Sequence, residues 1–366
     1  MKNENEIIAI LKVIFFLLLA VVVGSVIFIK LNTGAAAQFT DNYLRPLLGN
    51  QIVGLAEKTY FNTADEIQKL TDKTGSTDIP QFPDGGIASL ATPIPISTGL
   101  PSVKGEGVWH DRPLSLFSGQ EAMAYTFVRP DSTRPFAYVT LAEMNMGLMN
   151  LGVVAGTEQP GGPIGNKGPG TIPQNIIDSG NLTAAFDGGF QYRDGNYGMV
   201  VDGKTYVPLI KDVGTLIGYK NGSLKIVNYT GQDFGPDVAF IRQNCPLLVA
   251  DGQVFAANEQ NKKLWGRTFN ADIYTWRSGI GLTAGGNLIY AVGNNLSPAT
   301  LANALKMGGA VNAIQLDINP FWVRFNIFEP NGTGGYKTAT LTKDLKDGSK
   351  AYLTGYSKDF FYLYKK

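Results

Sequence analysis

Residues 297–328 read "SPATLANALKMGGAVNAIQLDINPFWVRFNIF", and their reading decides the fold class. Ser297 suits an N-cap, Pro298 the first helical position, and Gly308 and Gly309 a helix end, so the first half is a helix. Apolar residues then run up to Ile318, break at Asn319-Pro320 and resume at Val323, which reads as strand, turn, strand. Working outward, the apolar runs 122–130, 135–144, 214–230, 237–256 and 271–292 are short and strand-like. Several are joined by Asn-Gly, Asp-Gly or Gly-Gly pairs, the pattern of tight hairpins. Forty-four glycines and nineteen prolines in 366 residues agree with many turns. The expectation is an α+β domain built on a large, mostly antiparallel or mixed sheet with few helices, preceded by an N-terminal transmembrane helix.

That helix is the segment "IIAILKVIFFLLLAVVVGSVIFI", residues 7–29, whose only charge is Lys12. At about 1.5 Å per residue it is long enough to cross a hydrocarbon core, and Lys12 can snorkel toward the headgroups. A cleavable signal peptide is the competing reading, because "GAAAQ" at 34–38 offers small residues, but its usual apolar region is only about 7–15 residues long. The expected organisation is an anchor over 1–31, a juxtamembrane helical segment over 32–74, a Pro/Gly/Ser/Thr-rich linker over 75–104 and a globular domain over 105–366. The flanking charges Lys2, Lys12 and Lys30 orient the span weakly. The expected placement is a single-pass protein of the cell membrane with its C-terminal domain outside the cytoplasm, following the habit of anchored domains generally.

Composition narrows the chemistry. A net charge of +1 with 17% charged residues gives no nucleic-acid footprint. One cysteine, Cys245, and one histidine, His110, exclude an intrachain disulfide and a Cys/His zinc cluster. No metal ligands are assigned, and no motif names a cofactor. Sites must then be sought where polar residues interrupt apolar strands. "LTAAFDGGF" puts Asp187 at a strand end with Gly188 and Gly189 baring the backbone, which suits either a ligand or an Asx turn. "YTWRSGIG" places Arg277 in an apolar strand beside Ser278, where a guanidinium needs a carboxylate or a bound anion. "IQLDINP" ends a strand at Asp317 before Asn319, again a rim position or a turn. "FIRQNCP" adds Arg242 and Asn244. His110 is a weaker general-base candidate, and residues 156–173, rich in Gly and Pro, read as a lid or an ordered surface loop.

The motifs "AAFDGGF", "VVDGKTY", "WRSGIGL", "NLIYAVG" and "SPATLANALKMGGAVNAIQLDINP", in this order, resemble the phosphodiester glycosidase family. Upstream, "GEGVW", "VRPDSTRPFAYVTLAEMN" and "GTEQPGG" look like the opening of its bacterial membrane-anchored members. The resemblance implies hydrolysis of a sugar-1-phosphodiester in envelope or exopolysaccharide material, with a phosphate-linked glycan as substrate. It implies Asp317, Asp187 and Arg277 as catalytic residues: Arg277 on the phosphate, the carboxylates on the sugar side. Arg242, Asn244, Gly188, Gly189, Ser278 and Asn319 would bind substrate, with Arg242 a second phosphate clamp. The chain departs from the family in having Asp187 where Asn is common, which adds charge near an anionic substrate unless that group is protonated or paired. The alternative is a non-catalytic surface module for anionic polysaccharide or an envelope partner. A purely structural relative would pair Arg277 directly with Asp317 inside the core.

Overall fold

The computed structural model describes residue 80, residues 85–96, 98–255, residue 265 and residues 274–366. The expected membrane span and juxtamembrane segment lie outside them. In chain order the described elements begin with β1 (His110–Asp111), β2 (Met123–Val128), β3 (Val139–Met144), β4 (Met149–Val154), α1 (Gln174–Asp178) and β5 (Leu182–Asp187). Next come β6 (Met199–Val201), β7 (Lys204–Val207), β8 (Gly214–Tyr219), β9 (Leu224–Asn228), β10 (Val238–Asn244), β11 (Leu247–Ala250) and β12 (Gln253–Val254). The chain closes with β13 (Thr275–Thr283), β14 (Leu288–Leu296), α2 (Pro298–Met307), β15 (Ala310–Ile318), β16 (Phe325–Pro330), β17 (Tyr336–Thr340), α3 (Ser349–Thr354) and β18 (Phe360–Lys365).

These strands form three sheets: β1-β2-β3-β14-β13-β15-β11-β12, then β7-β6-β10-β8-β9, then β17-β16-β5-β18-β4. The domain is mostly β with few helices, and every strand pairing among the described residues is antiparallel, so the mixed alternative does not hold there. Short hairpins account for pairs such as β6–β7 and β13–β14, since a parallel neighbour needs a long crossover. At Asp202-Gly203 and Asp251-Gly252 both residues have positive φ, as a tight hairpin turn demands.

One crossover is made by α2. Its N-cap is Ser297, whose hydroxyl accepts from the Thr300 amide at 3.1 Å, and Pro298 opens the first turn. The helix carries the chain over β13, placing β15 on the far side of β13 from β14. Leu301 and Leu305 press onto Gly279, where a Cβ would stand only 3.2 Å from either side chain and 2.9 Å from the Ile314 carbonyl. That close approach is what the glycine permits.

Alternation along β14 divides the first sheet's two faces. Ile289 and Ala291 join Leu301, Ala304 and Leu305 in one core, while Leu288, Tyr290 and Val292 join Phe186, Phe325 and Phe361 of the third sheet and Leu216 and Phe240 of the second in another. Phe186 stacks between Phe325 and Phe361 with ring centroids 5.4 and 5.5 Å away. Part of the expected linker is also bound to the domain. Ala88 and Ile94 are buried, and their amides donate to the Trp109 and Gly107 carbonyls at 3.0 and 2.9 Å.

Candidate active site

Asp187 ends β5 at the seam between the first and third sheets and is 1% exposed. Its carboxylate accepts from Ser278 Oγ at 2.5 Å, Tyr290 Oη at 2.7 Å, the Arg324 amide at 3.0 Å and the Asp317 amide at 3.2 Å. Burial raises its pKa against the pull of these four donors. Every donor comes from elsewhere in the chain, so the Asx-turn reading gives way to a tie between β5 and β13, β14 and β15.

Asp317 reaches this seam through a break in register. Arg277 pairs with Ile318 but Gly279 with Gln315, so β15 carries one extra residue there. A bulge of this kind re-aims a side chain. Without it, alternation would put Asp317 on the face of Gln315, whose Oε1 accepts from Arg277 Nη1 at 2.9 Å. Instead both carboxylate oxygens accept from Lys358 Nζ, at 2.6 and 2.5 Å, and the pair is almost sealed, the side chains being 5% and 2% exposed. Burial, with Asp187 and Asp359 nearby, pushes the Asp317 carboxyl up to about 8 although the Lys358 ammonium pulls it down. Lys358 Nζ also lies 4.7 Å from the centroid of the Trp322 ring, a cation–π contact.

A third carboxylate, Asp359, completes the cluster. It receives Arg242 as a fork, from Nε at 2.8 Å and Nη2 at 3.2 Å. The remaining Arg242 donors go to the Phe190, Tyr197 and Gln243 carbonyls, and the side chain is fully buried. Arg242 is therefore an internal strut, and an incoming phosphate would find none of its donors open. The same pair explains the glycines. A Cβ on Gly188 would stand 2.2 Å from an Asp359 oxygen and one on Gly189 would stand 2.5 Å from Arg242 Nη2, while the Gly189 amide donates to Asp359 at 2.9 Å. The bare backbone is approached by the chain's own ion pair.

Arg277 is 3% exposed and sends Nε to the Leu296 carbonyl at 2.8 Å and Nη1 to Gln315 and the Trp265 carbonyl. It does not pair with Asp317, so the arrangement expected of a purely structural relative is not formed. Asn244 staples strands together, donating to the Gln315 and Leu316 carbonyls and accepting from the Phe190 amide. Ser278 serves Asp187 and also lies 3.0 Å from the Asp317 carbonyl. Asn319 adopts a left-handed φ of 71° and caps its own turn by accepting from the Phe321 amide.

His110 sits on β1, four strands from β13, or about 19 Å at the usual strand spacing. The 156–173 stretch is pinned beside the site: the Thr157 and Glu158 amides donate to the Tyr356 and Ser357 carbonyls at 3.0 Å. Lys358, Asp359, Tyr290 and Gln315 escaped the sequence reading. A phenol on the apolar stripe Leu288, Tyr290, Val292 needs a partner when buried, and that signal was available. No group of three or more His, Cys, Asp or Glu side chains that could hold a metal occurs among the described residues.

Residues 180–317 match the model of the phosphodiester glycosidase family, and over that span the resemblance read from the sequence is borne out. Comparison with curated proteins finds no match. Among solved structures, the catalytic domain of zebrafish N-acetylglucosamine-1-phosphodiester alpha-N-acetylglucosaminidase, auto-inhibited by its pro-peptide, is similar. Identity is 15%, with 81% of this chain and 99% of that chain covered at a TM-score of 0.43. A hypothetical protein from Synechocystis is 14% identical over 68% of this chain and 63% of that chain, with a TM-score of 0.37. The family match supports a glycosidase-type hydrolase.

Proposed function

We propose that this chain is a membrane-anchored, extracytoplasmic phosphodiester glycosidase that hydrolyses a sugar-1-phosphodiester in envelope or exopolysaccharide material. The observation that carries the reading is the Asp317–Lys358 pair set against Asp187, at the end of the span that matches the family. Water adds across the bond from the anomeric carbon to the bridging oxygen. The sugar keeps the new hydroxyl, and the phosphate leaves as a monoester with its phosphorus–oxygen bonds intact. Its second pKa of about 6 makes it a good leaving group.

Asp317 is the proton-transfer group of this reading. With its pKa pushed up to about 8, Asp317 can take up a proton in place of its bond from Lys358 and pass it to the bridging oxygen, and the resulting carboxylate can take one from water. Asp187 positions it, its carboxylate being occupied by the Asp317 and Arg324 amides and the Ser278 and Tyr290 hydroxyls. Residues 7–29 would anchor the chain in the membrane.

The test is sugar release from a panel of sugar-1-phosphodiesters by the full-length chain in detergent, beside folded Asp317→Asn. General acid–base catalysis contributes about 10²–10⁴-fold, and with so good a leaving group the variant should lose about 10²-fold in kcat. No turnover by the parent, with binding of anionic glycan retained, would instead establish the binding module.

A further inference from the structure

The site requires a receptor for the phosphodiester charge, and the two arginines expected to supply it are committed elsewhere: Arg242 to Asp359 and three carbonyls, Arg277 to Leu296, Gln315 and Trp265. The receptor must then be another cation near Asp317 with donors to spare. Arg324 is one. It closes the loop that follows β15, the strand of Asp317, and its own amide is bonded to Asp187. Its side chain is half-buried, yet Nε is shielded from solvent and has no hydrogen-bond partner. A buried donor left unpaired is costly, and an acceptor brought by a ligand would relieve it.

Among the described residues, none forms a salt bridge with this guanidinium. Cζ lies 5.2 Å from the centroid of the Tyr356 ring, and Nη1 rests against Gly348, where a Cβ would stand 2.9 Å away. The carboxylate next to Gly348 in sequence, Asp347, is turned to Asn326 Nδ2 and the Ser349 amide, both at 2.8 Å. Asp317 is taken by Lys358. A second cation lies nearby: Lys346 Nζ stands 5.2 Å from the Phe321 ring, and burial followed by Arg324 lowers its pKa. Phe321 and Trp322, on the same loop as Arg324, are half-buried.

We propose that Arg324 is the anion-binding residue of the site and receives the phosphate oxygens of the substrate. The proposal rests on the hydrolase reading for the identity of the anion, but its test does not need turnover. A planar fork matches two oxygens of a phosphate, and the tyrosine face and Gly348 hold that plane in advance.

Inorganic phosphate serves as the probe, titrated into the full-length chain by calorimetry, with potassium chloride at equal ionic strength as the control. The parent should bind phosphate and melt at a higher temperature in its presence. Arg324→Ala should weaken binding roughly tenfold or more, and Arg324→Lys, which keeps the charge but not the fork, by a smaller factor. Gly348→Ala, which displaces the guanidinium without removing it, should weaken binding as well. Phosphate affinity unchanged in folded Arg324→Lys and Gly348→Ala would overturn the assignment, as would a parent that does not respond to phosphate. Phosphate binding by the parent that Arg324→Ala abolishes, in a chain that turns nothing over, would sink the hydrolase reading and leave the anion site standing.

Discussion

At the scale of single residues, the three acids at the seam differ only in their partners, and the partners set what each does. Asp359 has a fully buried arginine fork, and removing one side of such a pair strands the other. Asp359→Asn should therefore cost about 3–5 kcal/mol in urea unfolding. Asp317 makes the pH prediction. Its ordinary value is 3.8, and in the fold it is pushed up to about 8. The folded chain thus holds a proton that the unfolded chain releases, so this contribution is complete below about pH 4 and is lost as pH rises toward 8. Unfolding midpoints of the parent should fall over that window relative to Asp317→Asn, whose slope should be flatter. The alkaline limb of kcat/KM should lie near pH 8, and Lys358→Met, by removing the ammonium that pulls the value down, should move that limb upward. Much of this was out of reach in the sequence. Asp187, Arg277 and Asp317 stood out as polar breaks in apolar strands, but Asp359 lies 117 positions from Arg242, and "SKD" before an aromatic strand reads like solvent-facing charge.

At the scale of elements, local chemistry was the most legible part. The α2 start at Ser297 and Pro298 follows from capping, and the β13–β14 hairpin from two apolar runs around Gly285-Gly286, since both are decided within a few residues. The bulge in β15 was not legible, because a one-residue slip depends on the neighbouring strand and leaves no mark in alternation. Two substitutions separate these cases. Ser297→Ala removes only the cap and should lower stability by about 1 kcal/mol with turnover unchanged, as thermal melts and the sugar-release assay would show. Gly279→Ala places a methyl between α2 and β15 and should cost about 1–3 kcal/mol as overpacking. It should also lower turnover, because β15 carries Asp317.

At the scale of the whole molecule, Asp187 is the point where separate sheets are tied. The first sheet sends it Ser278 from β13, Tyr290 from β14 and the Asp317 amide from β15, while the loop entering β16 of the third sheet sends the Arg324 amide. The apolar core between the sheets is continuous and would hold them together without this tie. What the carboxylate adds is a fixed distance between Asp317 and Arg324, the proton-transfer group and the proposed anion receptor. Asp187→Ala orphans the Asp317 and Arg324 amides, each at a cost of about 1–3 kcal/mol, and leaves the Ser278 and Tyr290 hydroxyls only the Asp317 and Arg324 carbonyls, 3.0 and 3.4 Å away. The variant should lose at least about 3 kcal/mol in denaturant unfolding, and its Asp317 and Arg324 amides should exchange with deuterium far faster than in the parent. Amides of β8 and β9 in the second sheet, which do not touch Asp187, should keep the parent's protection once the change in global stability is allowed for. Equal acceleration in all of these would mean that Asp187 merely supports the core; acceleration confined to the seam would make it the residue that sets the geometry of the site.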